Sequence, residues 1–170
     1  LVLDKTPFYA FSGGQVCDKG TIDGYDVVDV IKMPNGQHLH FLDDMPFNVG
    51  EVVTCKVDEE NRNKTRCNHS SAHLLQKALQ THLGNHVHQH GSQVTSEYCR
   101  FDFNNFNNLT DEDLLTIEKL VNDHISKNTE VITHVVSIEE AKAMGAMALF
   151  GEKYGSVVRV VSFADYSVEF

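Results

Sequence analysis

The chain has 170 residues, 41% of them apolar, which is enough for a packed core and excludes a disordered segment. Twenty-four acidic residues against fourteen basic ones give a formal charge of −10, which excludes a general nucleic-acid binder relying on clustered cations alone. No stretch approaches the roughly 20 apolar residues of a membrane span, no secretory leader is visible, and a start at Leu1 reads as a fragment or processed product.

Residues 1–58 are predicted as strands. Tyr25–Met33, Gln37–Leu42 and Glu51–Val57 carry β-branched or alternating apolar residues. Pro34-Asn35-Gly36 and the stretch from Pro46 to Gly50 supply turn chemistry between them. Several short strands at this spacing suggest a small barrel or sandwich. Before them, Ser12-Gly13-Gly14-Gln15 allows either a close approach to phosphate or a tight turn, and in isolation fits a β-turn better. Asp58-Glu59-Glu60-Asn61 has the composition of a linker. A helix is predicted over Thr65–Leu83, stopped by Gly84, followed by strands at Val87–Thr95 and Tyr98–Phe103. The next helix, Asp111–Lys127, has Thr110 as N-cap and an apolar stripe through Leu114, Leu115, Ile117, Leu120, Val121 and Ile125. A short helix at Ile138–Met144 and strands at Val157–Val161 and Tyr166–Phe170 complete the reading. The expected class is α+β: a small N-terminal β-barrel-like lobe over 1–58, then an α/β lobe over 59–170 with an antiparallel sheet and flanking helices.

His69 and His73 sit four apart on the predicted helix, about 40° apart in projection. They lie just outside the arc formed by Ala72, Leu74, Leu75, Ala78, Leu79 and Leu83, beside Gln76 and Gln80. That spacing serves a metal site or two ordinary surface histidines, and spacing alone leaves both open. The H-E-x-x-H metalloprotease pattern is excluded because Ser70 occupies the glutamate position. Zinc takes three or four ligands, so a pair is incomplete. Further on, His86, His88 and His90 share one face of a strand, while Gln89 shares the face of Val87. An amide on an apolar face wants a polar partner, which points Gln89 into a pocket. Lys56, Arg62, Lys64 and Arg66 make a modest basic patch, partly offset by Asp58, Glu59 and Glu60. Arg100 and Asp102 are placed to pair, either bracing a pocket strand or as a plain structural contact. Cys17, Cys55, Cys67 and Cys99 form no C-x-x-C, so a reducing cytoplasm is expected.

Several blocks occur in a fixed order. They are Leu3-Asp4-Lys5-Thr6-Pro7-Phe8-Tyr9-Ala10, Ser12-Gly13-Gly14-Gln15-Val16, Asn68-His69-Ser70, His73-Leu74-Leu75-Gln76, and Leu83-Gly84. His86-Val87, Gln89, Gly91-Ser92, Arg100-Phe101-Asp102-Phe103, the run Ala146 to Gly155 and Val158-Arg159-Val160-Val161 follow. Together they resemble the editing region of alanyl-tRNA synthetase and its free-standing relatives, over nearly the whole chain. The resemblance implies hydrolysis of the ester in seryl- or glycyl-tRNA mischarged onto the alanine tRNA, within an ATP-using ligase of protein biosynthesis. It implies a Zn2+ site with His69 and His73 as two ligands, and the remaining ligands in a Cys-x-Gly-Gly-x-His-type segment expected beyond Phe170. Gln89 matches a glutamine of the editing pocket, making Gln89, His69 and His73 the expected catalytic residues. Gly13 and Gly14 match a loop near the tRNA acceptor end, and with Arg62, Lys64 and Arg66 form the expected tRNA contact. The implied partners are the alanine tRNA and the rest of the parent synthetase, with no membrane. Three positions depart from the family's pattern: Ala72 replaces a threonine suited to reading a serine hydroxyl, Phe11 a glutamate and Cys17 a glycine. The other readings are a non-catalytic acceptor-stem docking module, a fragment without activity of its own, and the related editing domain of threonyl-tRNA synthetase. The Thr6-Pro7-Phe8-Tyr9 and Phe150–Gly155 blocks argue against the last.

Overall fold

In the computed structural model the described residues are 1–44, 46–146, 155–164 and 166–169. The N-terminal strands pair antiparallel in the order β3-β2-β1-β4, from β1 (Gly20–Ile22), β2 (Tyr25–Lys32), β3 (His38–Leu42) and β4 (Cys55–Val57). Among the described residues this sheet is open, not a closed barrel. β1 is joined to β2 by Asp23-Gly24, whose positive φ values of 48° and 87° make the two-residue turn that Asp-Gly favours. The sequence reading omitted β1 although that dipeptide announces it. A register shift between Val27 and Asp29 in β2 breaks the strand's alternation. Val27 and Val30, three residues apart, therefore both face the core, while Val28 is exposed. They pack with Phe8, Ala10 and Ile22. His40 is also buried here, its Nε2 2.7 Å from Thr6 Oγ1 and its ring edge-on to Phe8.

The long helix α1 spans Glu59–Leu83, six residues earlier at its start than the predicted Thr65. Asp58 caps it, accepting the Asn61 N–H at 2.9 Å, so the acidic run read as a linker is the helix's first turn. The stop at Gly84, φ 117°, is as read. Next come the paired strands β5 (Gln89–Val94) and β6 (Cys99–Phe103). Helix α2 (Asp111–Ser126) opens with a reciprocal cap between Thr110 and Asp113. The hydrogen bonds from Thr110 pull the Asp113 carboxyl down to about 2. The last elements are β7 (Val131–Ser137), α3 (Ile138–Ala143), β8 (Val157–Phe163) and β9 (Ser167–Glu169), with antiparallel sheet order β7-β8-β9. Ala141 of α3 packs on Val158 and Val160 of β8. β7 is an edge strand that the sequence reading passed over. The class is α+β.

The chain divides into two units, Leu1–Ala72 with Gly91–Asp102, and His73–His90 with Phe103–Phe170. The division runs through α1, whereas the sequence suggested a boundary between 58 and 59. Residues 147–154, most of the Ala146 to Gly155 block, lie outside the described residues. Among the described residues no helix is long and apolar enough to cross a membrane.

Candidate functional site

Two helical histidines are the candidate site residues, and each is held by groups of its own unit. In the first unit, Ser12 and Gln15 exchange backbone hydrogen bonds of 2.9 and 3.2 Å around Gly13 (φ 56°) and Gly14 (φ 78°). This is the tight turn that paired glycines permit. It docks on the end of β5: Val94 N–H donates to Gly14 O at 2.8 Å, and Val16 N–H to Val94 O at 3.0 Å. A Cβ on Gly14 would collide with Ser92, whereas one on Gly13 would meet open space. The turn aims the Gln15 side chain, 7% exposed, at α1, where Oε1 lies 2.6 Å from His69 Nδ1. An amide oxygen only accepts, so Nδ1 carries the ring proton.

Beside this turn, Asp18 is 4% exposed and clamps three segments together. It accepts the Tyr9 N–H at 2.6 Å and the Arg62 Nε–H at 3.1 Å, and forms a short ion pair with the Arg62 terminal nitrogen. That nitrogen also donates to Pro7 O at 2.6 Å. The carboxylate raises the Arg62 guanidinium above its ordinary value. Arg62, expected among the tRNA contacts, ties the N-terminal segment to α1 and keeps 32% of its side chain exposed. Lys64 is exposed and reaches Glu60 at 2.7 Å, and Arg66 is exposed on the same helix. Arg100 Nε lies 3.1 Å from Asp102, an exposed pair of small energetic weight.

In the second unit, His73 Nδ1 is bonded to Glu169 on β9, and the His73 ring lies 5.8 Å from that of Phe163. Glu169 is 5% exposed, and its other oxygen accepts the Ser167 hydroxyl at 2.7 Å. The two bonds of Glu169 turn the Nδ1 edge of the His73 ring toward β9. Gln89 opens β5 and is half-buried. His86 and His88 precede that strand, so the expected three-histidine strand face is not formed as drawn. His86 instead bonds Asn105 at 3.0 Å and stacks on Phe106, ring centroids 4.5 Å apart. Among the described residues no three metal-ligating side chains cluster.

The structure thus joins His69 to Gln15 and His73 to Glu169, across 54 and 96 residues of sequence. Gln15 was visible only as the residue after the glycines. Glu169 and Asp18 carried no local signal, since each takes its role from a partner far along the chain.

Residues 1–61 match the family model described as tRNA synthetases class II (A). The chain is 49% identical over 170 residues to an alanine–tRNA ligase of Acholeplasma laidlawii, covering all of this chain and 20% of that protein. It is 50% identical over 175 residues to alanine–tRNA ligase 1 of Lachnoclostridium phytofermentans, and 49% to the alanine–tRNA ligase of Bacillus pumilus, in each case covering 99% of this chain and 20% of the relative. The chain spans about a fifth of the length of these relatives.

Proposed function

We propose that this chain, similar end to end to a portion of the alanine–tRNA ligases, is the editing portion of such a ligase, hydrolysing the ester of seryl- or glycyl-tRNA mischarged onto the alanine tRNA. The observation that carries the reading is the common state of the two helical imidazoles. Each has Nδ1 committed to an acceptor from outside the helix, Gln15 for His69 and Glu169 for His73. This is how metal-ligating histidines are held, with the proton on one nitrogen and the lone pair for the metal on the other. On this reading His69 and His73 would supply two imidazole donors to Zn2+ through Nε2, while among the described residues no group of three ligating side chains forms. When bound, zinc supplies a Lewis acid that orients an ester or water.

Protein groups supply the rest. Gln89 orients substrate or water by hydrogen bonding, since an amide does not titrate. Exposed Lys64 and Arg66 offer charge to the acceptor-end phosphates, and the remaining domains of the parent ligase supply most of the tRNA affinity. The need for such a site follows from selectivity. A pocket shaped for a methyl group rejects an added hydroxyl by only about 100-fold, so a second, hydrolytic site is required.

The test is deacylation of seryl-tRNA and alanyl-tRNA by the full-length parent protein. Seryl-tRNA is expected to be hydrolysed and alanyl-tRNA spared, with His69→Ala and His73→Ala each lowering the rate by about 100-fold or more. Undiminished hydrolysis in both variants refutes the metal-site reading. A docking-only reading draws on Ala72, which is 6% exposed and offers a methyl where the family's pattern has a threonine. Retained tRNA binding without any deacylation decides for it.

A further inference from the structure

We infer that Phe106, stacked on His86, is a shelf on which an unpaired base of a tRNA stacks, with the amides of Asn107 and Asn108 at the edge of that base. The inference rests on the tRNA reading above and gives it a contact surface apart from the helical histidines. Every residue of the shelf belongs to the second unit. Phe106 is 83% exposed, more than any other phenylalanine or tyrosine among the described residues. It thereby forgoes most of the stabilisation of about 1.5–3 kcal/mol that burying such a ring brings. One face is covered by the His86 imidazole, with ring centroids 4.5 Å apart and planes 27° from parallel. The exposure of the ring leaves the opposite face to solvent.

Hydrogen bonds fix the support beneath that face. Asn104 brackets the segment ahead of β5: its Nδ2 donates to His86 O at 2.8 Å, and its Oδ1 accepts the His88 N–H at 2.7 Å. Asn105 ties the imidazole to the loop, its Oδ1 3.0 Å from His86 Nε2 and its Nδ2 donating to Asn107 O at 2.8 Å. The shelf is therefore ordered before a ligand arrives, which lowers the entropy lost on binding. Residues 103–110 carry no charge, and Asn107 and Asn108 are exposed. Amides match the donors and acceptors of base edges, and every base has a flat face that stacks on an aromatic ring. In a chain of charge −10, phosphate attraction is a poor source of affinity, whereas stacking needs no cation. A stable protein interface buries about 800 Å² on each side, far more than one ring set among amides offers.

Two measurements on the full-length parent test this. In steady-state hydrolysis of seryl-tRNA, Phe106→Ala is expected to raise KM about 5–150-fold, the range of one base stack, with kcat unchanged. Phe106→Tyr keeps a stacking face and is expected to restore KM. In the second measurement, each unpaired base at the acceptor end of the alanine tRNA is replaced in turn by 2-aminopurine, a fluorescent base whose emission stacking quenches. The Phe106→Ala complex is expected to emit more than the wild-type complex at one of these positions, and the Phe106→Tyr complex to match wild type. The inference is overturned if Phe106→Ala, with an unchanged circular dichroism spectrum, emits like wild type at every position, which would leave the ring to a protein contact. It is also overturned if that variant keeps KM within about twofold of wild type, whatever happens to kcat. A wild-type parent that hydrolyses no seryl-tRNA refutes the editing reading instead, and the emission measurement then decides on the shelf by itself.

Discussion

Gly13 and Gly14 look alike in the sequence and do different work. Both sit at positive φ, but only Gly14 is pressed against another segment, its missing side chain leaving room for Ser92. Gly13→Ala incurs the left-handed backbone cost alone, about 1–2 kcal/mol. Gly14→Ala adds a collision with backbone that cannot be relieved by a side-chain rotation, and is expected to cost at least about 1 kcal/mol more. Urea midpoints of the two variants measure the difference. Near-equal midpoints would mean that the turn is not docked on β5. The residue types were legible here: paired glycines read correctly as a turn. The job of the turn was not, because the partner that makes Gly14 obligatory stands at position 92. Gln15 illustrates the same gap, since a glutamine beside a turn has no visible purpose until His69 arrives from another element.

The helices were legible through their periodicity and caps, except where a cap resembled something else. Asp58-Glu59-Glu60 is as hydrophilic as a linker, yet acids also collect at the positive end of a helix, and the structure uses them so. Asp58→Ala removes the side chain that accepts the Asn61 N–H and is expected to destabilise the protein by about 0.5–2 kcal/mol. Chemical denaturation measures this, and Asp58→Ser should retain most of the stability. An Asp58→Ala variant as stable as wild type would return the segment to linker status. β7 was missed for a different reason. Its Val131, Ile132 and Val135 are all substantially exposed, so no polar-apolar alternation marks one inner face. Conversely, β4 is shorter than read because Val52, although apolar, is fully uncovered and pairs with no strand.

At the scale of the whole molecule, a helix that begins in one unit and ends in the other has no compositional break at the crossing, so a division within α1 leaves no mark in the sequence. What the whole chain shares is its response to acid. His40 is 1% exposed, and burial holds its imidazole below the ordinary value of 6.5. The folded protein therefore keeps His40 neutral where the unfolded chain already takes a proton. The associated stability is complete above pH 6.5 and is lost as pH falls from there toward the folded value. Unfolding free energies measured from pH 8 downward are expected to decline below about 6.5, and His40→Asn, less stable at neutral pH, should flatten that slope. An unaltered slope in the variant would assign the titration elsewhere, for example to His124, which burial shifts in the same direction.

The bond between His73 and Glu169 spans 96 residues, so its two ends leave the ribosome at different times. At a synthesis rate of about 5–20 residues per second, the ring waits roughly 5–20 s for its acceptor. Throughout that interval the nascent His73 ring has no Glu169 to hold it, and it turns freely between orientations that the finished fold reduces to one.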